Sequence, residues 1–243
     1  MQILASPFDS QHYGLAIGRL VREAEDRADD LHAAVETARR ERFAVVFVRL
    51  AEGDPLCGVL ARAGHAPVDT LVTSTLGSER PEIRGNATIA VEHHDRLDDP
   101  ADVAAAAAIT MEGMRTSHLH ADPRLPIART RELYAAWARN DVTHRAQRTI
   151  VARAAGAAGE LIGFLSVLAA PGTAAIDLIA VAAARHGQGV GGALLASFIA
   201  WIGDRGTIAT VGTQADNPAR RLYARAGFVP TATHFTYHLW IDP

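Results

Sequence analysis

Four glycines, Gly187, Gly189, Gly191 and Gly192, follow an apolar β-branched run and open an amphipathic stretch across residues 174–195. A strand feeding a glycine-rich turn at a helix start is a device for holding phosphate. The first-turn amides have no helical partner, the helix dipole adds partial positive charge, and glycine lets the backbone approach. Inside the run, Asp177 is placed to accept a proton, or it is a solvated strand residue. A second group lies in the polar loop 116–126: His118, His120 and Asp122. These could take up a proton directly or through water, or form a hydrogen-bonded surface loop. Their spacing also suggests a metal, but no third or fourth ligand pattern lies nearby, so none is expected. Tyr134 and Trp137 share one side of a helical stretch, as core or as a stacking platform.

The surrounding pattern is αβ. Strands are expected at 43–50, 68–76, 87–93, 149–153, 161–168, 174–181, 208–212 and 235–241, where β-branched and aromatic residues gather. Helices are expected at 29–42, capped by Asp29 or Asp30, and at 56–63, 99–115, 128–140 and 217–226, besides the one opened by the glycines. Pro218 suits a first helical turn, and Gly64 and Gly227 suit helix ends. The strands 149–153 and 161–168 form a hairpin candidate. Residues 77–86 (GSERPEIRGN) read as a linker, dividing the chain into 1–80 and 87–243.

Residues 61–76 (ARAGHAPVDTLVTSTL) align without gaps to 224–239 (ARAGFVPTATHFTYHL), with eight of sixteen positions identical. Both segments are helix end, Gly, Pro, strand. The N-terminal part therefore reads as a degenerate copy, in which Leu60 stands where the C-terminal copy has Tyr223.

The 243 residues carry a net charge of −3, which gives no reason to expect nucleic acid or an anionic membrane as partner. A single cysteine, Cys57, excludes an internal disulfide and fits a reducing compartment. No apolar run reaches membrane-span length, and MQILASPFDSQHYG lacks a basic region followed by an apolar one, so a cytoplasmic protein is expected. All 24 basic residues are arginine. Without lysine there is no Walker A loop and no Schiff base. A dinucleotide-binding fingerprint would need an acidic residue at a strand end about 20 positions on. Asp204 precedes Gly206 at a helix end instead.

Two segments carry a family resemblance. Ile179-Ala180-Val181 followed by His186-Gly187-Gln188-Gly189-Val190-Gly191-Gly192, and Asn217-Pro218 with Leu222-Tyr223 and Gly227-Phe228, together resemble the GNAT family of N-acetyltransferases. The resemblance implies an α/β GNAT fold, a mixed twisted sheet flanked by helices, with a partial GNAT copy at the N-terminus. It implies acetyl-CoA as co-substrate, with pantetheine along 179–181, pyrophosphate on the amides of 188–192, and Asn217 either fixing the cofactor or capping its helix. His186 departs from the Arg or Gln the family commonly has there. Tyr223 matches the tyrosine often assigned as general acid to the leaving thiolate, or it packs with Leu222. Cys57 lies far in sequence from this region, so direct transfer without a covalent enzyme intermediate is expected.

Nearly the whole chain is also similar to dTDP-fucosamine N-acetyltransferases, through His12-Tyr13-Gly14, the segments 116–123 and 133–140, and 211–214 with 236–237. That similarity implies a small-molecule amine acceptor on a nucleotide-linked sugar, with His118, His120, Asp122, Tyr134 and Trp137 on the substrate side. A homodimer is left open as an assembly.

Overall fold

A computed structural model describes residues 1–22, 26–27, 30–78, 81, 88–154, 159–203 and 207–241. The alternative cap Asp29, most of the expected linker 77–86, residue 87, the hairpin tip at 155–158 and Asp204 lie outside the described residues. In chain order the elements are β1 Gln2–Ala5, α1 Pro7–Tyr13, β2 Ile17–Val21, α2 Asp30–Arg40, β3 Val45–Ala51, α3 Pro55–Arg62, β4 Asp69–Leu76 and β5 Ile89–His94. They continue as α4 Pro100–Gly113, α5 His118–Ala121, α6 Ile127–Asn140, a π-helical turn Asp141–Arg145, β6 Arg148–Ala154, β7 Leu161–Ala170 and β8 Thr173–Val181. A 3₁₀ turn, Ala183–Arg185, then leads to α7 Val190–Ile202, β9 Ile208–Gln214, α8 Arg220–Arg225 and β10 Phe228–Trp240.

Two compact units divide this chain: residues 1–72, 116–130 and 232–243 in the first, and 73–115 and 131–231 in the second. The chain returns to the first unit twice, so the units cut it differently from a single break at 77–86. In the first unit the strand order is β1-β2-β3-β10, with β2 and β3 parallel and the other pairs antiparallel. Val46, Val48, Leu50, Leu56, Leu60, Tyr237 and Leu239 pack as its core. In the second unit the order is β9-β8-β7-β6-β5, parallel only between β8 and β9. Helix α7 buries Val190, Leu194, Leu195 and Phe198 among residues of β6 to β9, and a second cluster joins Ala106, Ala138, Val142, Phe164 and Leu178. Strand β7 is apolar on both faces, as a strand covered on both sides must be.

The repeat is deeper than the sixteen aligned residues. Moving 163 positions from Val45–Ala51 gives Ile208–Gln214, the bounds of β9. The same shift carries Gly64 (φ 83°) onto Gly227 (φ 89°), and Asp54, which accepts the Leu56 amide at 2.8 Å, onto Asn217, which accepts the Ala219 amide at 2.9 Å. In each copy the preceding parallel strand meets the matched strand over four residues, Ile17–Leu20 with Val45–Val48 and Thr173–Ile176 with Ile208–Val211.

Several elements differ from the sequence reading. The first twenty-one residues hold β1, α1 and β2, whose short length and mixed burial leave little periodicity. Loop 116–126 contains the single-turn α5, capped by Ser117. The last strand starts at Phe228, directly after the left-handed Gly227, and not at 235, because Pro230 is tolerated within it.

Candidate active site

Strands β8 and β9 pair only from Thr173↔Ile208 to Ile176↔Val211. Beyond that point Asp177–Val181 follow β7 alone, through Leu178↔Ser166, Ile179↔Leu165, Ala180↔Phe164 and Val181↔Gly163. The β9-facing backbone of this segment is thus free of strand pairing among the described residues, so an extended amide-bearing ligand could add there as a strand would. Asp177 sits where the register slips, because Ile176 faces Val167 and Leu178 faces Ser166, leaving Asp177 as the extra residue of a bulge.

The glycine loop begins where β8 ends. Gly187 (φ 76°) and Gly189 (φ 85°) are left-handed, and Gly189 is the N-cap of α7 with no side-chain cap. The first helical bond of α7 runs from the Ala193 amide to the Gly189 carbonyl at 3.0 Å, so the amides of Val190, Gly191 and Gly192 lie ahead of the ladder. A Cβ on Gly191 would stand 2.9 Å from Leu222 Cδ2; its absence lets α8 approach. His186 turns back, its Nε2 lying 3.0 Å from the Val181 carbonyl, and Gln188 Nε2 donates to the Ala184 carbonyl at 3.0 Å. The loop therefore offers backbone rather than these side chains.

Tyr223 on α8 is buried, its ring centroid 6.2 Å from that of Phe228. Its hydroxyl has no hydrogen-bond partner among the described residues, and burial pushes its pKa up to about 12. Asn217 accepts the Ala219 amide on its side-chain oxygen in the turn that leads into α8, the counterpart of the bond Asp54 takes from Leu56 in the copy that lacks the glycine loop. Asn217→Ala is therefore expected to cost about 1 kcal/mol of stability. A thermal melt paired with an acetyl-CoA titration checks this: a lower melting point with unchanged affinity is expected.

At the fork itself stands a cluster only half visible in the sequence. Trp137 Nε1 donates to Asp177 Oδ2 at 2.8 Å, and the Trp137 ring stacks on Tyr134 at 5.6 Å and 13°. Arg145 forms an ion pair with Asp177 and another with Asp141 at 2.7 Å. Ser166 donates to Asp141 Oδ2 at 2.7 Å. Burial, and then the hydrogen bond and charge of Asp177, raise the Asp141 pKa to about 6 against the pull of Ser166 and Arg145. Asp141 and Arg145 were missed from the sequence; their only signal is an acid and a base four apart at a helix end.

The structure does not bring His118, His120 and Asp122 together as one constellation. In the first unit, His118 Nδ1 lies 2.8 Å from His238 Nε2, and His238 Nδ1 lies 2.8 Å from Asp122 Oδ2. Trp240 Nε1 also donates to Asp122 Oδ2 at 2.8 Å, and Phe47 stacks on His238 at 4.3 Å. His120 instead pairs with Ser117 Oγ at 2.7 Å. His238 comes from the last strand, and no sequence spacing announced it. Tyr13, at the end of α1 before the left-handed Gly14, is buried and bonds Thr130 Oγ1 at 2.8 Å.

Burial alone would raise the Asp122 pKa, but Trp240, the Arg124 amide and His238 outweigh it and bring it to about 2. Burial lowers His238 and His118. Because the folded pKa of Asp122 is depressed, its contribution is present above the ordinary carboxylate range and is lost as pH falls toward 2. Asp122→Asn is expected to lower the melting point at pH 7 by about 5 °C and to flatten the decline between pH 4 and 2. Equal declines in both proteins would contradict this.

Residues 113–228 match the acetyltransferase (GNAT) family model. Over that segment, a little under half of the chain, the sequence matches the GNAT family. The match takes in the forked strands, the glycine loop and Tyr223. The spore coat polysaccharide biosynthesis protein SpsD of Bacillus subtilis (strain 168) is 32% identical over 144 residues, which is 58% of this chain and 49% of that protein. The chain thus aligns with about half the length of this curated relative. A GCN5-related N-acetyltransferase from Sphaerobacter thermophilus superposes with a TM-score of 0.65 at 14% identity, covering 99% of this chain and 76% of that one. A tandem GNAT protein from the clavulanic acid biosynthesis pathway gives 0.62 at 16% identity, covering 95% and 77%. These likenesses establish the α/β GNAT fold, with a mixed sheet flanked by helices. Among the described residues no helix is long and apolar enough to cross a membrane.

Proposed function

We propose that this protein transfers acetyl from acetyl-CoA to a primary amine of a small molecule, a nucleotide-linked amino sugar, in the cytoplasm. The observation that carries the reading is the fork between β8 and β9 running directly into the glycine-capped start of α7. The backbone of Ile179, Ala180 and Val181 along the fork suits the pantetheine amides except at the Val181 carbonyl, which His186 Nε2 already contacts, and the amides ahead of the α7 ladder suit the pyrophosphate. Acetyl-CoA supplies an activated acyl thioester. Asp177, at the mouth of the fork, takes a proton from the acceptor ammonium so that the nitrogen carries a free pair. As nitrogen bonds the acyl carbon and the carbon–sulfur bond breaks, Tyr223 gives its proton to the sulfur. The nitrogen's second proton leaves to solvent, from which the phenol is restored. A pKa near 12 keeps Tyr223 protonated at every working pH.

The amino-sugar acceptor is supported by the naming of SpsD as a polysaccharide biosynthesis protein and by the Tyr134–Trp137 stack bonded to Asp177. The test compares kcat/KM for dTDP-linked amino sugars, polyamines, aminoglycosides and N-terminal peptides. A preference of about 100-fold or more for an amino-sugar nucleotide is expected; preference for another class would overturn the acceptor assignment.

A further inference from the structure

Asp141 lies under the fork in a position no helix pattern requires. Helix α6 widens into the π-turn Asp141–Arg145, closed by the Ala146 amide on the Asp141 carbonyl at 3.1 Å. Such single π-turns are frequent at functional sites. The turn aims two side chains at the β8 bulge. Asp141 is 1% exposed, and one guanidinium nitrogen of Arg145 donates both to it and to Asp177, so two carboxyls converge on a single donor. Two carboxylates can share a hydrogen bond only if one holds a proton. Arg145 bridges the pair through Asp141 Oδ1 and both Asp177 oxygens.

We propose that Asp141 is a positioning residue for proton removal from the acceptor amine, sharing one proton with Asp177 through a pair clamped by Arg145. The proposal rests on the reading of Asp177 as proton acceptor. With the pair empty, Asp141 and Asp177 carry two negative charges against the single positive charge of Arg145, which attracts an ammonium ion. When the ammonium gives up its proton, the pair holds it between the two carboxyls as one uncharged acid and one carboxylate, and later releases it to water. With the pair already protonated, Asp177 has no place for a second proton.

The groups facing Asp141 are few. Its own turn supplies Arg145, while His144 on the same turn bonds Thr143 Oγ1. Strand β7 supplies the neutral Ser166 and β8 supplies Asp177; Trp137 on α6 reaches Asp177. On α4, which also packs against the turn, Asp102 is taken by Arg153. The acid limb of the rate profile therefore reports the shared proton.

Two variants move that limb in opposite directions. Asp141→Asn leaves Asp177 alone with Arg145, so the limb in kcat/KM for the acceptor, expected near pH 6 in the natural protein, shifts down by about one unit or more and plateau kcat falls about tenfold. Ser166→Ala removes the donor that favours ionised Asp141, so the limb shifts up. A purely structural role for Asp141 would move neither limb, and that outcome would overturn the proposal. Trp137 gives a readout without substrate, because its indole bonds Asp177. Its fluorescence, isolated by subtracting the Trp137→Phe variant, is expected to titrate near pH 6 and to lose that transition in Asp141→Asn. If the transition is present but no amine is acetylated, the transferase reading fails and the proton-sharing pair stands. If amines are acetylated and the transition is absent, the pair fails. Should Asp141→Asn not fold, Ser166→Ala and the natural protein's own transition decide the matter.

Discussion

Tyr223→Phe is expected to lower kcat by about 100-fold while leaving the acetyl-CoA Kd within about twofold. The substitution removes one oxygen and keeps the ring that packs in the core beside Phe228. The hydroxyl has no partner among the described residues, so its loss orphans no buried group and stability should change little. A sulfur departing without a proton source must leave as a thiolate against a buried apolar wall, which is where the rate is lost. Stopped-flow thiol release gives kcat, and calorimetry gives Kd. An unchanged kcat would remove Tyr223 from the mechanism and leave it as a buried core side chain, like Leu60 at the matching position of the other copy.

Gly189→Val is expected to act on the other half of the reaction, weakening acetyl-CoA binding by about tenfold or more with a much smaller loss of kcat at saturation. Gly189 holds φ 85° at the N-cap of α7. A β-branched residue there is a steric outlier costing about 1–2 kcal/mol, which is about tenfold in affinity if the strain is relieved by turning the loop amides away. The control is Gly172, at φ 76° in the turn between β7 and β8 with open space around it. Gly172→Val should cost comparable stability and leave Kd unchanged. Equal effects on Kd from both variants would mean that the loop carries no special burden of phosphate binding.

What the sequence made legible follows from which signals are local. The glycine loop, the helix after it and the Gly64 and Gly227 helix ends are local, since a left-handed position next to a periodic apolar stretch leaves a mark within a few residues. The sixteen-residue repeat was visible because helix end, glycine and proline recur in fixed order, while its extension through β3 and β9 was not, because buried strands tolerate any β-branched or aromatic filling. The fork is a loss of pairing and has no residue signature. The clusters were the least legible. Asp141 and Asp177 are joined by a π-turn and a bulge, and both devices break the periodicities on which reading depends. His118, His120 and Asp122 were picked out together, but His120 bonds Ser117 instead, and His238, which links the other two, lies more than a hundred residues away on a strand whose alternation hides one buried imidazole. Asn217 was read with two roles open; its side-chain oxygen accepts the Ala219 amide, as Asp54 accepts the Leu56 amide in the other copy.

The central claim, acetyl transfer at the fork of β8 and β9, is tested most directly by following free coenzyme A while weighing the acceptor by mass spectrometry. With acetyl-CoA and a dTDP-linked amino sugar, thiol release is expected to match, mole for mole, an acceptor heavier by one acetyl group, and both signals should fall together in Tyr223→Phe. Tight acetyl-CoA binding without thiol release for any primary amine, or thiol release matched only by free acetate, would contradict it.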